Sequence, residues 1–239
     1  MRTASTLASD ARLPQGAEKR RVVEEMFDRV APRYDRMNRV ISLGLDRRWR
    51  RQTVDALGLA PGARVLDLAC GTGDLCRDLA TSAHLPVGVD LSEGMLRIGA
   101  THCDAPLVRG DAERLPFADA AFDGLVCGFA LRNFVDLERV FAEVARLVRH
   151  GGRFAALDAA VPANPVLRAG NAVWFRGAVP LLGRMLARNA DAYRYLPQST
   201  AYLPEPAALV DQLARAGFTE VTRRTMTGGS VQLLTGTRA

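Results

Sequence analysis

Lysine is nearly missing from this 239-residue chain: of 32 basic residues, only Lys19 is not an arginine. The bias reads as the imprint of a GC-rich genome. It is not a nucleic-acid footprint, because basic and aromatic residues do not interleave as single-strand binders require, so no nucleic-acid partner is expected. Histidine is sparse as well. His84, His102 and His150 fall at helix ends or in loops, where surface roles are expected. Neither they nor Cys70, Cys76, Cys103 and Cys127 show metal-ligand spacing, so no metal is expected. The cysteines read as small buried thiols of a reduced, cytosolic protein. No run approaches about 18 apolar residues, which argues against a membrane-spanning helix. The N-terminus shows no apolar stretch of the secretory-signal type.

The remaining composition is ordinary for a globular protein, 48% hydrophobic and 24% charged, and the length suits one α/β domain with additions. The formal charge of +6 is uneven: residues 1–60 hold 13 basic and 8 acidic side chains, a net +5, leaving +1 for the rest. The run Asp46-Arg47-Arg48-Trp49-Arg50-Arg51 concentrates it. That run reads either as a solvated helix face or as a contact for an anionic membrane surface or lipid-borne substrate.

The most specific run is Val65-Leu66-Asp67-Leu68-Ala69-Cys70-Gly71-Thr72-Gly73-Asp74. It gives an apolar strand pattern, an acid, a Gly-x-Gly loop and a helix start. Seventeen residues past Gly73, a second apolar run closes on Asp90. This strand-loop-helix-strand order with a terminal acid is a nucleoside-binding layout. Gly71 and Gly73 let the backbone approach a ligand, and Asp90 can accept both hydroxyls of a ribose. A dinucleotide would want a third glycine where Cys76 stands, and its pyrophosphate would meet like charge at Asp74. S-adenosylmethionine carries a sulfonium, an ammonium and a ribose, and it suits Asp67 and Asp74 better. Taken alone, the Gly-x-Gly turn could simply carry a strand into a helix. Arg109-Gly110-Asp111-Ala112 follows a third short strand, at the edge where doubly wound sheets bind ligands. Asp111 is suited to accept from an adenine amino group while the Ala112 backbone meets a ring nitrogen. The competing reading is an acidic surface turn.

Residues 1–16 are predicted to be a disordered tail. Residues 17–60 form a helical segment expected to close over the cofactor as a lid. Val22, Val23, Met26, Phe27 and Val30 keep helical spacing, Pro32 interrupts it, and further helices follow through Val40 and over 46–57. Residues 61–239 alternate strand and helix. Strands are predicted at 64–68, 86–90, 106–109, 122–128 and 153–158. Helices are predicted at 73–82, 92–101 and 136–149, the last stopped by Gly151-Gly152. Residues 160–203 break the rhythm and read as an insertion over the substrate side. A helix at 205–216 and strands at 218–225 and 230–236 close the chain. The expected fold is α/β: a Rossmann-like, seven-stranded, mostly parallel sheet of the class I methyltransferase type, with an antiparallel C-terminal hairpin.

Three further blocks carry a family resemblance. Phe27-Asp28-Arg29-Val30-Ala31-Pro32-Arg33-Tyr34-Asp35-Arg36-Met37-Asn38, with Ser42-Leu43-Gly44 and Arg48-Trp49, resembles the N-terminal signature of the UbiE/MenG quinone methyltransferases. Gly128-Phe129-Ala130-Leu131-Arg132-Asn133 resembles their Phe-Gly-Leu-Arg-Asn strand end. Residues 189–196 resemble a third block, and the similarity runs colinearly from about residue 22 to 237. The resemblance implies the class I fold, S-adenosylmethionine as cofactor, and C-methylation of a polyprenylated quinol ring in menaquinone or ubiquinone biosynthesis. Demethylmenaquinol is the favoured substrate; a phenolic small molecule of secondary metabolism, methylated on carbon or oxygen, is the alternative. The family's cofactor contacts carry over to Thr72, Asp90, Asp111 and Ala112. Gly128 stands where the family commonly has serine, Asp158 where it has glutamate, and Leu234 where it has histidine.

Methyl transfer to a ring carbon needs the neighbouring hydroxyl deprotonated, hence a base or a cation that stabilises the phenolate. Arg132 is the expected cation; its high pKa makes it a poor base. A structural arginine bonding carbonyls is the competing reading. Tyr34 and Tyr193 join it as candidate catalytic residues, with Asn38, Asn133, Arg194 and Tyr195 as candidate substrate contacts. Ordinary packing is the alternative for the tyrosines. The apolar stretch Trp174, Phe175, Val179, Leu181, Leu182, Met185 and Leu186 reads as core or dimer packing, or as a path for the isoprenoid tail. Such a tail implies transient docking of a cytoplasmic enzyme at the inner face of the membrane. A homodimer is left open.

Overall fold

The computed structural model describes residues 14–174, 177 and 199–239. The chain opens with α1 (Gly16–Val30). Pro32 has no amide proton to donate to a helix interior, and the chain tightens there into a 3₁₀ turn, Ala31–Arg33. Helices α2 (Tyr34–Ile41) and α3 (Asp46–Asp55) follow.

The sheet then alternates with helices. Its strands are β1 (Arg64–Leu68), β2 (Leu85–Asp90), β3 (Leu107–Arg109), β4 (Phe122–Gly128), β5 (Val148–Ala159), β6 (Phe218–Met226) and β7 (Val231–Arg238). Helices α4 (Asp74–Thr81), α5 (Glu93–Gly99), α6 (Leu137–Leu147), α7 (Pro165–Val173) and α8 (Pro206–Arg215) complete the described elements. The strand order is 3-2-1-4-5-7-6. β1 pairs in parallel with β2 and β4, and β7 is antiparallel to both β5 and β6. The seven expected strands and the closing hairpin are therefore present. The order reverses between β1 and β4, and at such a switch point the following loops splay apart to leave a crevice.

Apolar stripes hold the layers. On one face α6 buries Val140, Phe141, Val144 and Leu147, and Phe141 meets Phe154 edge-on at 6.0 Å. On the other, Leu75 and Leu79 of α4 pack with Val65, Val126 and Val54 of α3. Truncating a fully buried residue such as Phe141 to Ala would cost about 3–5 kcal/mol.

Three expectations need correction. Helix α6 is not stopped by Gly151-Gly152: it ends at Leu147 and the chain enters β5 directly at Val148. The glycines instead kink β5. Gly151 sits at φ +71°, and a Cβ on Gly152 would lie 2.7 Å from the Asp123 carbonyl. The β4–β5 register shifts across this kink. His84 is not a surface residue; it is 8% exposed and its Nδ1 has no hydrogen-bond partner. The arginine run is not uniformly solvated either, because Arg50 is buried. Phe175, Val179, Leu181, Leu182, Met185 and Leu186 lie outside the described residues, as do residues 1–13 of the expected tail.

Candidate active site

The loops after β1 and β4 form the site. Ala69 and Phe129, the residues just past these strands, both adopt positive φ (56° and 58°). Non-glycine residues hold that conformation only where the surroundings enforce it, and such positions gather at functional sites. Gly71 and Gly73 follow at φ +55° and +78°, the left-handed region that favours glycine. They turn the chain so that α4 starts beside the strand ends.

Two cavities meet at this point, sharing Phe27, Tyr34, Ala69, Gly71, Gly128, Phe129 and Asn133. The smaller, of about 110 Å³, holds Asp90, Asp111 and Ala112, with Arg20, Val23 and Phe27 of α1 across from them. The larger, of about 650 Å³, takes in Asn38, Trp49, Asp67, Thr72, Arg132 and Trp174. Every candidate site residue among those described lies on one or both, except Gly73, which shapes the loop from behind. Tyr193, Arg194 and Tyr195 lie outside the described residues.

Asp90 is fixed from both sides: the Gly71 and Ser92 backbone N–H groups each donate to one of its oxygens at 2.8 Å. Burial raises its pKa to about 6 against these hydrogen bonds. Asp67 is fully buried. Its Oδ2 accepts from the Cys76 backbone N–H (3.1 Å) and thiol (3.3 Å), while Oδ1 has no partner. Burial, aided by the Asp90 charge, raises its pKa to about 7. An orphaned carboxylate oxygen in a cavity wall is costly unless a donor meets it, and a cationic amine fits that need. Asp74, expected to repel a pyrophosphate, is instead held by Arg50 (2.9 Å) and Arg77. Arg50 also binds Asp46 (2.7 Å) and Asp78 (2.9 Å), a role the sequence did not reveal.

The N-terminal helices are pinned over the smaller cavity. Asp28 accepts from the Ser92 hydroxyl (2.6 Å) and the Gly94 N–H (2.9 Å). Arg20 pairs with Asp111 at 2.7 Å, and Glu24 with Arg109 at 2.9 Å. The Thr72 hydroxyl donates to Asp35.

Arg132 is buried, and its partners are not carbonyls. Its guanidinium pairs with Asp158, and its Nε donates to the Ser199 hydroxyl at 3.1 Å. Ser199 had no sequence signal. Tyr34 stands close enough to feel the Arg132 charge: burial raises the phenol pKa, while a hydrogen bond with Asn38 and the Arg132 charge oppose the rise. At Gly128, a Cβ would lie 2.8 Å from Leu75 Cδ1, so a serine there needs Leu75 to move. Leu234 is buried in the sheet core and lines neither cavity.

The sheet order 3-2-1-4-5-7-6, with its antiparallel last strand, acids at the strand ends and a glycine loop after β1, is that of a class I methyltransferase. A profile of the ubiE/COQ5 methyltransferase family matches residues 15–238. The chain is 43% identical over 230 residues to the demethylmenaquinone methyltransferase of Roseiflexus sp. (strain RS-1), covering 94% of this chain and 96% of that one. It is 45% identical over 213 residues to the demethylmenaquinone methyltransferase of Mycolicibacterium paratuberculosis, covering 89% and 92%. The magnesium protoporphyrin IX methyltransferase of Synechocystis PCC 6803, solved with bound S-adenosylhomocysteine, shares the fold with a TM-score of 0.63 at 20% identity, over 92% of this chain and 100% of that one. A methyltransferase from Thermotoga maritima gives 0.65 at 20% identity, over 90% and 99%. The chain belongs to the ubiE/COQ5 methyltransferase family and is S-adenosylmethionine-dependent.

Proposed function

We propose that this enzyme methylates a ring carbon of demethylmenaquinol to give menaquinol. Relatives bearing that activity in their names cover nearly the whole chain, and the observation that carries the reading is the position of Arg132. It sits at the wall of the larger cavity, beside Tyr34 and Asn133.

When bound, S-adenosylmethionine supplies an electrophilic methyl group on a positively charged sulfur. The Asp90 oxygens, each already oriented by a backbone N–H, hold the ribose hydroxyls. Asp67 Oδ1 takes the ammonium. Gly71, Thr72 and Gly73 form the loop around the amino-acid end, and Asp111, Ala112 and Gly128 border the base. On the substrate side, Arg132 holds negative charge on the quinol oxygen next to the reacting carbon, which spreads that charge into the ring. Asp158 keeps the guanidinium aimed. With its pKa raised, Tyr34 stays protonated and acts as a hydrogen-bond donor to the substrate rather than as a base. Asn38 and Asn133 border the ring. Tyr193, Arg194 and Tyr195 are assigned here on the resemblance alone. Overall a ring C–H bond is replaced by a C–CH3 bond as the sulfonium S–CH3 bond breaks, and the products are menaquinol, S-adenosylhomocysteine and one proton.

The lipophilic substrate places the enzyme transiently at a membrane surface. Among the described residues, no helix is long and apolar enough to cross a membrane. The larger cavity does open past Leu43, Val161, Val166 and Leu167, which are 71%, 59%, 78% and 48% exposed. Arg36, Arg39, Arg47, Arg48 and Arg51 are exposed on the adjoining α2–α3 segment. Sedimentation with vesicles containing anionic lipid tests this, and no binding at low salt would contradict it.

The chemistry is tested by NMR of the product formed with ¹³C-methyl cofactor. A methyl signal on a ring carbon is expected. A methoxy signal would move the enzyme to O-methylation of another phenol.

A further inference from the structure

The lone lysine is buried where the N-terminal helix meets the active-site turn. Lys19 is 4% exposed. Its Nζ donates to the Phe134 carbonyl at 2.6 Å and lies 3.8 Å from the centre of the Tyr202 ring. The Tyr202 hydroxyl donates in turn to the Pro14 carbonyl at 2.7 Å. No carboxylate lies within ion-pair distance of Lys19 among the described residues. A buried cation without an anion is expensive; here one carbonyl and one ring face replace the counter-ion.

Each of these partners belongs to the site. Phe134 lines the smaller cavity and follows the turn carrying Arg132 and Asn133. Tyr202 ends the turn that begins beside Ser199, the hydroxyl bonded to Arg132. One and two turns further along α1, Val23 and Phe27 wall the same cavity, and Asp28 anchors the far end of the helix on α5.

We infer that Lys19 is a positioning residue: its ammonium holds the N-terminal half of α1 against the Arg132–Asn133 turn and so closes the cofactor's side of the site. A compact ammonium can sit between one carbonyl and one ring. A planar guanidinium, with five donors and a wider fork, would leave N–H groups unpaired in the same space. That accounts for a lysine at this position alone, in a chain that otherwise uses arginine throughout.

The latch depends on charge. Burial lowers the Lys19 pKa to about 8, so the positive charge is present at pH 7 and lost by pH 9. Asp67, raised to about 7, also ionises near the start of this window, but in wild type and variant alike, so the two proteins are compared at each pH. Arg132 is paired with Asp158 and Arg20 with Asp111. Tyr202 has its pKa raised, by burial and then by Glu18.

The test is calorimetric binding of S-adenosylhomocysteine to the wild type, Lys19→Met and Lys19→Arg, at pH 7 and pH 9. At pH 7 both variants should bind about tenfold more weakly, and the cofactor KM should move more than kcat. The gap between wild type and Lys19→Met should close at pH 9. Lys19→Arg binding like the wild type, or a gap unchanged between the two pH values, would overturn the proposal. Should Lys19→Met fail to fold, Tyr202→Leu keeps the question open to measurement. It retains the lysine but removes the ring, and should weaken binding about threefold at pH 7; wild-type affinity there would count against the latch. The inference rests on the smaller cavity holding adenosine. Failure of that assignment would show separately, as Asp90→Ala retaining cofactor affinity.

Discussion

Arg132 and Asp158 are joined twice. The Asp158 carboxylate pairs with the Arg132 guanidinium, and it also accepts the Arg132 backbone N–H at 3.1 Å. The Ala159 N–H donates to it as well, at 2.7 Å. One carboxylate at the end of β5 thus fixes both the main chain and the side chain of the residue assigned to stabilise the phenolate. Arg132→Ala should leave cofactor binding in place but lower turnover by about 10²-fold or more, the scale of losing one charge-stabilising donor. Unchanged turnover would return Arg132 to a purely structural role.

Removing either partner leaves a buried charge unpaired, and the Asp158 variant measures that structural cost separately from the turnover. Asp158→Asn leaves a buried guanidinium without its anion, a change that costs about 3–5 kcal/mol. The expected result is a clear fall in denaturant midpoint with the slope retained. An unchanged midpoint would mean that Asp158 contributes no counter-charge.

Asp90→Ala should abolish cofactor binding, because the ribose loses both acceptors at once. Retained micromolar affinity in calorimetry would remove the ribose assignment.

Asp67 and Asp90 predict a pH dependence with a definite sign. Their pKa values are raised to about 7 and about 6 by burial, above an unfolded value near 3.8. Between about pH 4 and 7 the cofactor-free folded chain therefore binds more protons than the unfolded chain, and these two groups lower its stability as pH rises. A bound cation favours the ionised carboxylates, so cofactor affinity should strengthen from pH 5 to pH 7, with protons released on binding. Asp67→Asn should melt higher than the wild type at pH 7 without cofactor and bind cofactor more weakly. A variant that melts lower at pH 7 would contradict the assignment.

Gly128→Ser restores the residue common in the family, yet it should destabilise by about 1–3 kcal/mol, as overpacking does. A Cβ at this position lies 2.8 Å from Leu75 Cδ1. Adding Leu75→Val should recover part of that loss, and a purely additive double mutant would contradict the clash.

The central strands β1, β2 and β4 were legible because each is a short apolar run with an acid or glycine at or next to its end (Asp67, Asp90, Gly128), and the bounds at Arg64–Leu68 and Phe122–Gly128 need no tertiary information. The Gly71–Gly73 turn was legible for the same local reason. What the pattern missed depends on contacts between distant residues. Lys19 meets Phe134 115 positions away, Arg132 meets Ser199 67 positions away, and Arg50 meets Asp78 28 positions away. Nothing in a window of ten residues marks such partners. Gly151-Gly152 misled because glycines past an apolar helix usually stop it; here they kink the following strand. His84 misled because a turn residue is usually solvated.

The most direct test is methyl transfer from labelled S-adenosylmethionine to reduced demethylmenaquinol in detergent, with the ubiquinone-pathway precursor alongside. The account predicts ring-carbon label on demethylmenaquinol at the faster rate. A protein that binds the cofactor yet labels neither quinol would contradict the proposed substrate.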